Sequence, residues 1–136
     1  MKISARTDYA CRAVLELAMN WPNKEPVQIE QIAKKQNVPM KYLVHILLQL
    51  KQAGIVQSIR GKEGGYILAK QPSKISLCEI IREVGGPLVV YANKKDIFSS
   101  IWVKVEEEMS KILDNITFEY LADQAKALKQ EFIYII

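Results

Sequence analysis

The side chains best suited to binding chemistry lie on one polar stripe and one glycine-rich turn in the middle of the chain. The stripe faces away from the apolar positions of segment 41–54, KYLVHILLQLKQAG, with Tyr42 and Val44 on its margins. Its members recur at near-helical spacing and are Lys41, His45, Gln49 and Gln52. Lysine can contact phosphate or guanine, glutamine can bind adenine with two hydrogen bonds, and tyrosine and histidine can reach a phosphate or base edge. The stripe is a candidate surface for reading duplex DNA, although a solvated polar face is the simpler interpretation of any such helix alone.

The glycine-rich turn lies in segment 55–69, IVQSIRGKEGGYILA, directly after this helix. Alternating residues lead into the turn and return from it, which predicts a β-hairpin. Arg60 and Lys62 stand at its tip, where a DNA groove or a phosphate could receive them. The glycines match neither GxxxxGK[ST] nor GxGxxG spacing, so the turn gives only weak support to nucleotide binding.

Other reactive side chains are few. His45 is the only histidine, and the sequence offers it neither a metal-binding set nor a nucleophile. The two cysteines, Cys11 and Cys78, are too few for a zinc or iron–sulfur site built from thiolates alone. Both flank apolar helical faces, so we expect structural thiols rather than a redox pair. We predict no metal site and no catalytic site.

Three helices are predicted before the hairpin. The first ends near Asn20, and the second turns Ile29 and Ile32 inward. The third begins at Pro39, a residue suited to a first helical position, and stops at Gly54. Its buried stripe recurs at i, i+3, i+4 and i+7 and consists of Leu43, Ile46, Leu47 and Leu50. With the hairpin, these helices predict a winged helix-turn-helix domain over residues 1–84.

After the hairpin, Ser76 and Glu79 form a capping box for a fourth helix. A long helix follows from about Asp96 to Asp114, and Thr117 caps a short last helix before the strand-like tail FIYII. The long helix carries an apolar stripe that includes Ile101, Trp102, Val105, Met109 and Ile112. Residues 85–136 are too few to bury this stripe easily within one chain. They are therefore predicted to form a dimerisation region. Packing back on the first helix is the alternative.

Composition and charge agree with this division. The 136 residues are 49% hydrophobic, enough for one compact core, and the net charge is +4. Residues 1–84 hold 13 basic and 7 acidic residues, a balance of +6, whereas residues 85–136 hold 6 and 8, a balance of −2. The basic excess accompanies the predicted DNA-binding part, although an ordinary soluble surface could also carry it. The first residues lack the apolar stretch of a secretory signal and no run could span a bilayer, so we expect a cytoplasmic protein.

Five stretches resemble the Rrf-two family of bacterial transcription regulators, the group of IscR, NsrR and CymR. They are MKISARTDYACRAVLELA, KYLVHILLQLKQAGIV, SIRGKEGGYILA, PSKISLCEIIREVGGP and ILDNITFEYLA. The resemblance implies a homodimer with N-terminal winged helices, a long dimerisation helix and a partly palindromic DNA operator. It also implies that Tyr42 and His45 lie on the reading helix, that Arg60 points from the wing towards the minor groove, and that Lys41 and Lys62 contact phosphates.

The chain departs from the family in one span. Cluster-sensing members place three cysteines between the fourth helix and the long helix, but residues 87–101, PLVVYANKKDIFSSI, contain neither Cys nor His. The resemblance therefore favours the clusterless, CymR-like branch, which holds no cofactor and takes its signal from a partner protein, a small-molecule effector or thiol oxidation.

The combined expectation is a mainly α protein with a small β-hairpin wing that acts as a dimeric DNA-binding repressor and not as an enzyme. Two alternatives stay open. A winged-helix protein-interaction module would use the same face to bind protein, and salt-insensitive binding to any DNA would favour it. A metal or cofactor sensor would use a site outside the cysteine loop of the family, and bound metal in the purified protein would favour that.

Overall fold

Six α-helices and a two-stranded antiparallel sheet form the described part of the chain. The computed structural model describes residues 2–22, 25–86, 88 and 95–135, with side chains as far as residue 130. The elements are α1 (Ala5–Met19), α2 (Ile29–Gln36), α3 (Met40–Gln52), β1 (Val56–Ile59), β2 (Gly65–Leu68), a 3₁₀ turn (Pro72–Lys74), α4 (Leu77–Gly85), α5 (Ile97–Asp114) and α6 (Phe118–Ile135). This order confirms the predicted winged helix-turn-helix followed by a long helix.

Side-chain oxygens determine where four helices begin. In each case a backbone N–H three residues further along donates to the capping oxygen at 3.0–3.1 Å. The caps are Ser4 for α1, Ser76 for α4, Asp96 for α5 and Thr117 for α6. Such a cap satisfies a donor that has no partner within the helix, which explains the preference for Ser, Thr and Asp. The predicted starts of the last three helices are confirmed. Glu79, the second residue of the predicted capping box, forms an ion pair with Lys70 at 2.6 Å.

The two ends of α3 follow from its flanking residues. Pro39 has an extended backbone (φ −61°, ψ 132°) and is the cap residue, so the prediction that it occupies the first helical position was wrong by one residue. Its carbonyl nevertheless accepts from the N–H of Leu43, which begins the helical pattern. Gly54 follows the last turn with a φ of +78°, the left-handed conformation that ends helices, as predicted.

Helix α1 lies at the centre of the core. It packs against α2, α3, α4, α6 and β2. The four residues of the predicted α3 stripe are fully buried, and they are Leu43, Ile46, Leu47 and Leu50. Burial of a side chain of this size contributes roughly 1.5 to 3 kcal/mol. The stripe therefore fixes which face of α3 remains open to solvent.

The hairpin is attached to the segment that precedes α2. Strands β1 and β2 pair from Val56 opposite Leu68 to Ile59 opposite Gly65. Val27 forms a bridge to Tyr66, with its N–H donating at 2.9 Å and its carbonyl accepting at 2.8 Å. The predicted hairpin is confirmed, and this bridge holds it beside the helix-turn-helix.

Burial alternates along β1 as predicted. Val56 faces the core, and Gln57 and Ile59 face solvent. The predicted alternation groups Ile55 with Gln57 and Ile59, but Ile55 precedes the strand and is buried with Val56 where the chain leaves α3.

The end of the chain differs from the prediction. Helix α6 has 18 residues, so the predicted short last helix and strand-like tail were wrong as far as Ile135. The run LADQAKALKQ, rich in strong helix formers, connects the Thr117 cap to the tail, and a helix that has already begun extends at little cost. None of the described helices has the length and apolar character needed to cross a bilayer.

The turn between α5 and α6 is joined to the start of α4. Leu77 N–H donates to the carbonyl of Ile116 at 2.8 Å, and Phe118 N–H donates to the carbonyl of Ile75 at 2.9 Å. The ring of Phe118 is fully buried in the core that α1 and α3 share. The functional division into residues 1–84 and 85–136 stays a prediction, and α6 contributes to the core of the first part.

Candidate nucleic-acid interface

The open face of α3 carries several of the predicted contact residues. Lys41, His45 and Gln52 are exposed. Tyr42 and Val44 keep 45% and 50% of their surface accessible. Because the opposite side of the helix is buried, this face is held towards solvent. It offers cationic, aromatic and hydrogen-bonding groups to a ligand that approaches along the helix.

Tyr42 is held in position by two neighbours. Its ring stacks on Tyr9 of α1, with centroids 5.9 Å apart and planes inclined by 24°. The Nζ atom of Lys41 lies 4.9 Å from the centroid of the same ring. Contacts of these kinds contribute roughly 0.5 to 1.5 kcal/mol each. Tyr42 therefore has little side-chain freedom left to lose when its hydroxyl meets a phosphate or a base.

Gln49 occupies a different position from the one its polarity predicted. Its side chain is half-buried, with Oε1 accepting from Arg6 and Nε2 donating to the Glu83 carbonyl at 2.9 Å. The amide joins α1, α3 and α4, and these bonds would have to break before it could read adenine. Its contact with DNA stays a prediction.

Leu48 holds the outward position beside Gln49 instead, with 51% of its surface exposed. Sequence reasoning did not single out Leu48, because only polar and basic residues were considered as candidate contacts at this position. The helical periodicity itself carried the signal, since Leu48 lies one turn after Val44 and outside the buried stripe.

The wing continues the basic surface beyond α3. Arg60 and Lys62 are exposed at the hairpin turn, and within the described residues neither forms an ion pair. Lys51, on the last turn of α3, and Arg60 line an open groove of about 630 Å³ between the helix and the hairpin. Lys51 is a further cation that the sequence did not single out, because a basic residue is common at a helix C-terminus.

Two glycines give the wing its shape. A Cβ atom on Gly64 would lie 2.2 Å from the carbonyl oxygen of Ile59. A Cβ atom on Gly65 would lie 2.5 Å from the carbonyl oxygen of Val27. Backbone atoms cannot move aside as a flexible side chain could, so a larger residue at either position would displace the turn that presents Arg60 and Lys62.

Both cysteines lie in or against a small apolar cluster that includes Ile81 and Leu113. Burial raises the pKa of Cys11 to about 11, with the Asp8 carboxylate adding to the rise. Burial is also the main cause that raises the pKa of Cys78. Since the thiolate is the form that binds metal and attacks disulfides, these environments favour a packing role. Among the described residues, no group of three or more His, Cys, Asp or Glu side chains could hold a metal ion.

Comparisons with known proteins agree with this geometry. The Rrf2 family model, described as an iron-dependent transcriptional regulator, matches residues 3–124. The transcriptional regulator CymR of Bacillus subtilis is 30% identical over the full length of both chains. Its solved structure, described as the global cysteine regulator of B. subtilis, has a TM-score of 0.83 at 31% identity and covers 91% of this chain and 98% of its own.

A structure of IscR from T. potens is similar as well, with a TM-score of 0.81, 33% identity, and coverage of 92% of this chain and 88% of its own. These relatives are named as transcriptional regulators and not as enzymes. The match over most of its length, together with the winged helix-turn-helix, shows that the chain belongs to the Rrf2 (Rrf-two) family of transcriptional regulators.

Proposed function

We propose that the chain is a cytoplasmic, homodimeric repressor that binds a partly palindromic operator in duplex DNA. Its main support is the surface formed by the open face of α3 and the adjoining wing cations. The major groove of B-DNA admits one α-helix, so Lys41, Tyr42 and His45 would meet base edges and phosphates there. Arg60 and Lys62 would then reach the neighbouring backbone or minor groove. A regulatory protein or a small-molecule effector would supply the signal.

The exposed apolar residues of α5 support the homodimer. Within the described part of the chain, α5 contains no buried side chain although it has 18 residues. Of the predicted stripe, Ile101, Val105 and Ile112 are 47%, 38% and 62% exposed, and Trp102 and Met109 are half-buried. Arg82 of α4 hydrogen-bonds to Ser110 on another face of α5 and leaves the stripe open. A second copy of α5 would cover it, as the symmetry of a two-fold dimer requires.

The family description refers to iron, but the residues of this chain do not fit an iron–sulfur cluster. Cluster iron is bound by thiolates, with histidine replacing some of them in certain centres. Residues 87–101 contain neither residue type, and positions 87 and 89–94 of this span lie outside the described residues. Cys11 and Cys78 lie in apolar surroundings with raised pKa values, and His45 lies on the exposed face of α3. We therefore place the chain in the clusterless, CymR-like branch.

Protein purified without oxygen should accordingly be colourless. A four-ligand site cannot be assembled from the two thiols Cys11 and Cys78 within one chain, so we expect no visible absorption band and no stoichiometric iron or sulfide. Anaerobic absorption spectroscopy and metal analysis on the same sample would measure this. A reproducible visible absorption band together with stoichiometric iron and sulfide would contradict the proposal.

Replacement of Arg60 by alanine tests the DNA-binding role of the wing. The operator is first obtained by sequencing the fragments of its own genome that the protein retains. We expect Arg60→Ala to weaken operator binding by on the order of 1 to 3 kcal/mol, because a cation in a groove is lost. Fluorescence anisotropy with a labelled operator would measure the change.

The matched control is Lys126→Ala, which removes one exposed positive charge from α6. It should leave operator affinity within about twofold of the original, since Lys126 does not line the groove and one exposed surface charge contributes little. An Arg60→Ala protein with unchanged operator affinity would refute the role assigned to the wing.

A further inference from the structure

Two aliphatic side chains are exposed on the candidate reading surface. Val44 and Leu48 are 50% and 51% exposed. They are four residues apart on α3, so their Cβ atoms are neighbours about 5 to 6 Å apart on one helix face. Exposed aliphatic groups on an otherwise polar and basic face suggest a ligand with an apolar feature at its centre.

The charges around this pair indicate which ligand that is. Lys41 lies one turn before Val44, and Lys51 lies one turn after Leu48, followed by the wing cations Arg60 and Lys62. The ligand should therefore be apolar at the centre and anionic on both sides. Duplex DNA has this arrangement in its major groove where thymine presents a 5-methyl group between two rows of phosphates.

The polar side chain that could read a base near the middle of the same helix, Gln49, already has hydrogen-bond partners within the protein. The amide of Gln49, which could otherwise distinguish adenine, is hydrogen-bonded to Arg6 and to the carbonyl of Glu83. Base discrimination near the centre of α3 is thus left to neighbouring groups, which include the exposed aliphatic pair Val44 and Leu48.

We propose that Val44 and Leu48 read thymine methyl groups, so that each operator half-site carries two thymines facing the middle of α3. Since base pairs are spaced by about 3.4 Å, two methyl groups that match this pair lie on adjacent or next-adjacent base pairs. This inference rests on the proposed DNA-binding function and adds the bases that the reading helix selects.

The test replaces each thymine of the operator by deoxyuridine, one position at a time. Deoxyuridine keeps the hydrogen-bonding pattern and removes only the methyl group. At two positions in each half-site we expect affinity to fall roughly fourfold per methyl, the effect of losing one buried methyl-sized group. Val44→Ala should abolish the effect of uridine at one position, and Leu48→Ala should abolish it at the other.

The controls remove exposed aliphatic side chains elsewhere. Val103→Ala on α5 and Leu128→Ala on α6 replace residues that are 50% and 66% exposed. Both variants should retain every uridine effect. Because Val44 and Leu48 are themselves exposed, their alanine variants should keep the folded helical content, which circular dichroism would verify.

Three outcomes would overturn the inference, and they separate it from the proposed function. Uridine without effect at every position, while Arg60→Ala still weakens binding, would leave the function intact and remove the thymine contact. Equal losses for thymine and uridine operators in the alanine variants would show that the two side chains do not read the methyl group. Retention of no specific DNA fragment would reject both, and the aliphatic pair would then fit a protein partner.

Discussion

Val105→Glu should convert the dimer to monomers and abolish specific operator binding. Val105 lies in the middle of the exposed stripe of α5 and is 38% exposed in the single chain. In a dimer that buries this stripe, the variant would place two carboxylates in an apolar contact without partners, which costs several kcal/mol. Two half-sites require two winged domains joined in one dimer, so specific binding should fall together with dimerisation. Light scattering and anisotropy on the same samples would measure both.

Lys104→Glu provides the matched control for this change. It introduces the same carboxylate one residue earlier, at an exposed position outside the stripe. We expect Lys104→Glu to remain a dimer with nearly normal operator affinity, although it changes the net charge of the chain by more than Val105→Glu does. A wild-type protein of monomer mass at micromolar concentration that still binds its operator tightly would reject the dimer proposal.

Operator binding should also weaken steeply with salt. Each protomer presents Lys41, Arg60 and Lys62, with Lys51 nearby, so a dimer could neutralise roughly 6 to 8 phosphates. Release of the counterions of that many phosphates lowers affinity by about 10³ to 10⁵ fold between roughly 50 and 200 mM salt. Anisotropy titrations across that range would measure the slope.

Arg60→Ala supplies an internal check on the salt slope. The variant removes one cation from each half of the dimer, so the slope of log affinity against log salt should become shallower by about 2. A slope near zero for the wild-type protein, with no preference among DNA fragments, would instead favour the protein-interaction module.

The parts of the fold that depend on local sequence were predictable. The spacing of Leu43, Ile46, Leu47 and Leu50 identified the buried side of α3, and Asp96 and Thr117 marked the starts of α5 and α6 because capping involves only neighbouring residues. The tail was predicted incorrectly because its aromatic and β-branched residues favour strands in isolation. In the protein, those as far as Ile135 continue a helix that begins earlier at a good cap.

The candidate site was predictable only where no distant residue intervenes. Lys41, Tyr42 and His45 are exposed on the face that the periodicity indicates. Gln49 was assigned by its polarity, but its amide binds Arg6, 43 residues earlier, and Glu83, 34 residues later. Contacts at that separation leave no local pattern in a single sequence. Leu48, by contrast, lies outside the predicted buried stripe by periodicity alone, but it was not named as a candidate contact residue.

The joint between α4 and the α5–α6 turn determines how a dimer could meet its operator. The two backbone hydrogen bonds at this joint and the buried Phe118 ring attach each winged domain rigidly to the end of its own α5. In the proposed dimer, the separation of the two winged domains is then a fixed length rather than a range allowed by a flexible tether. An insertion of about 5 base pairs between the half-sites would turn one of them to the opposite side of the duplex. Such a regulator would not bind two half-sites of the correct sequence if their spacing placed them on opposite sides of the duplex.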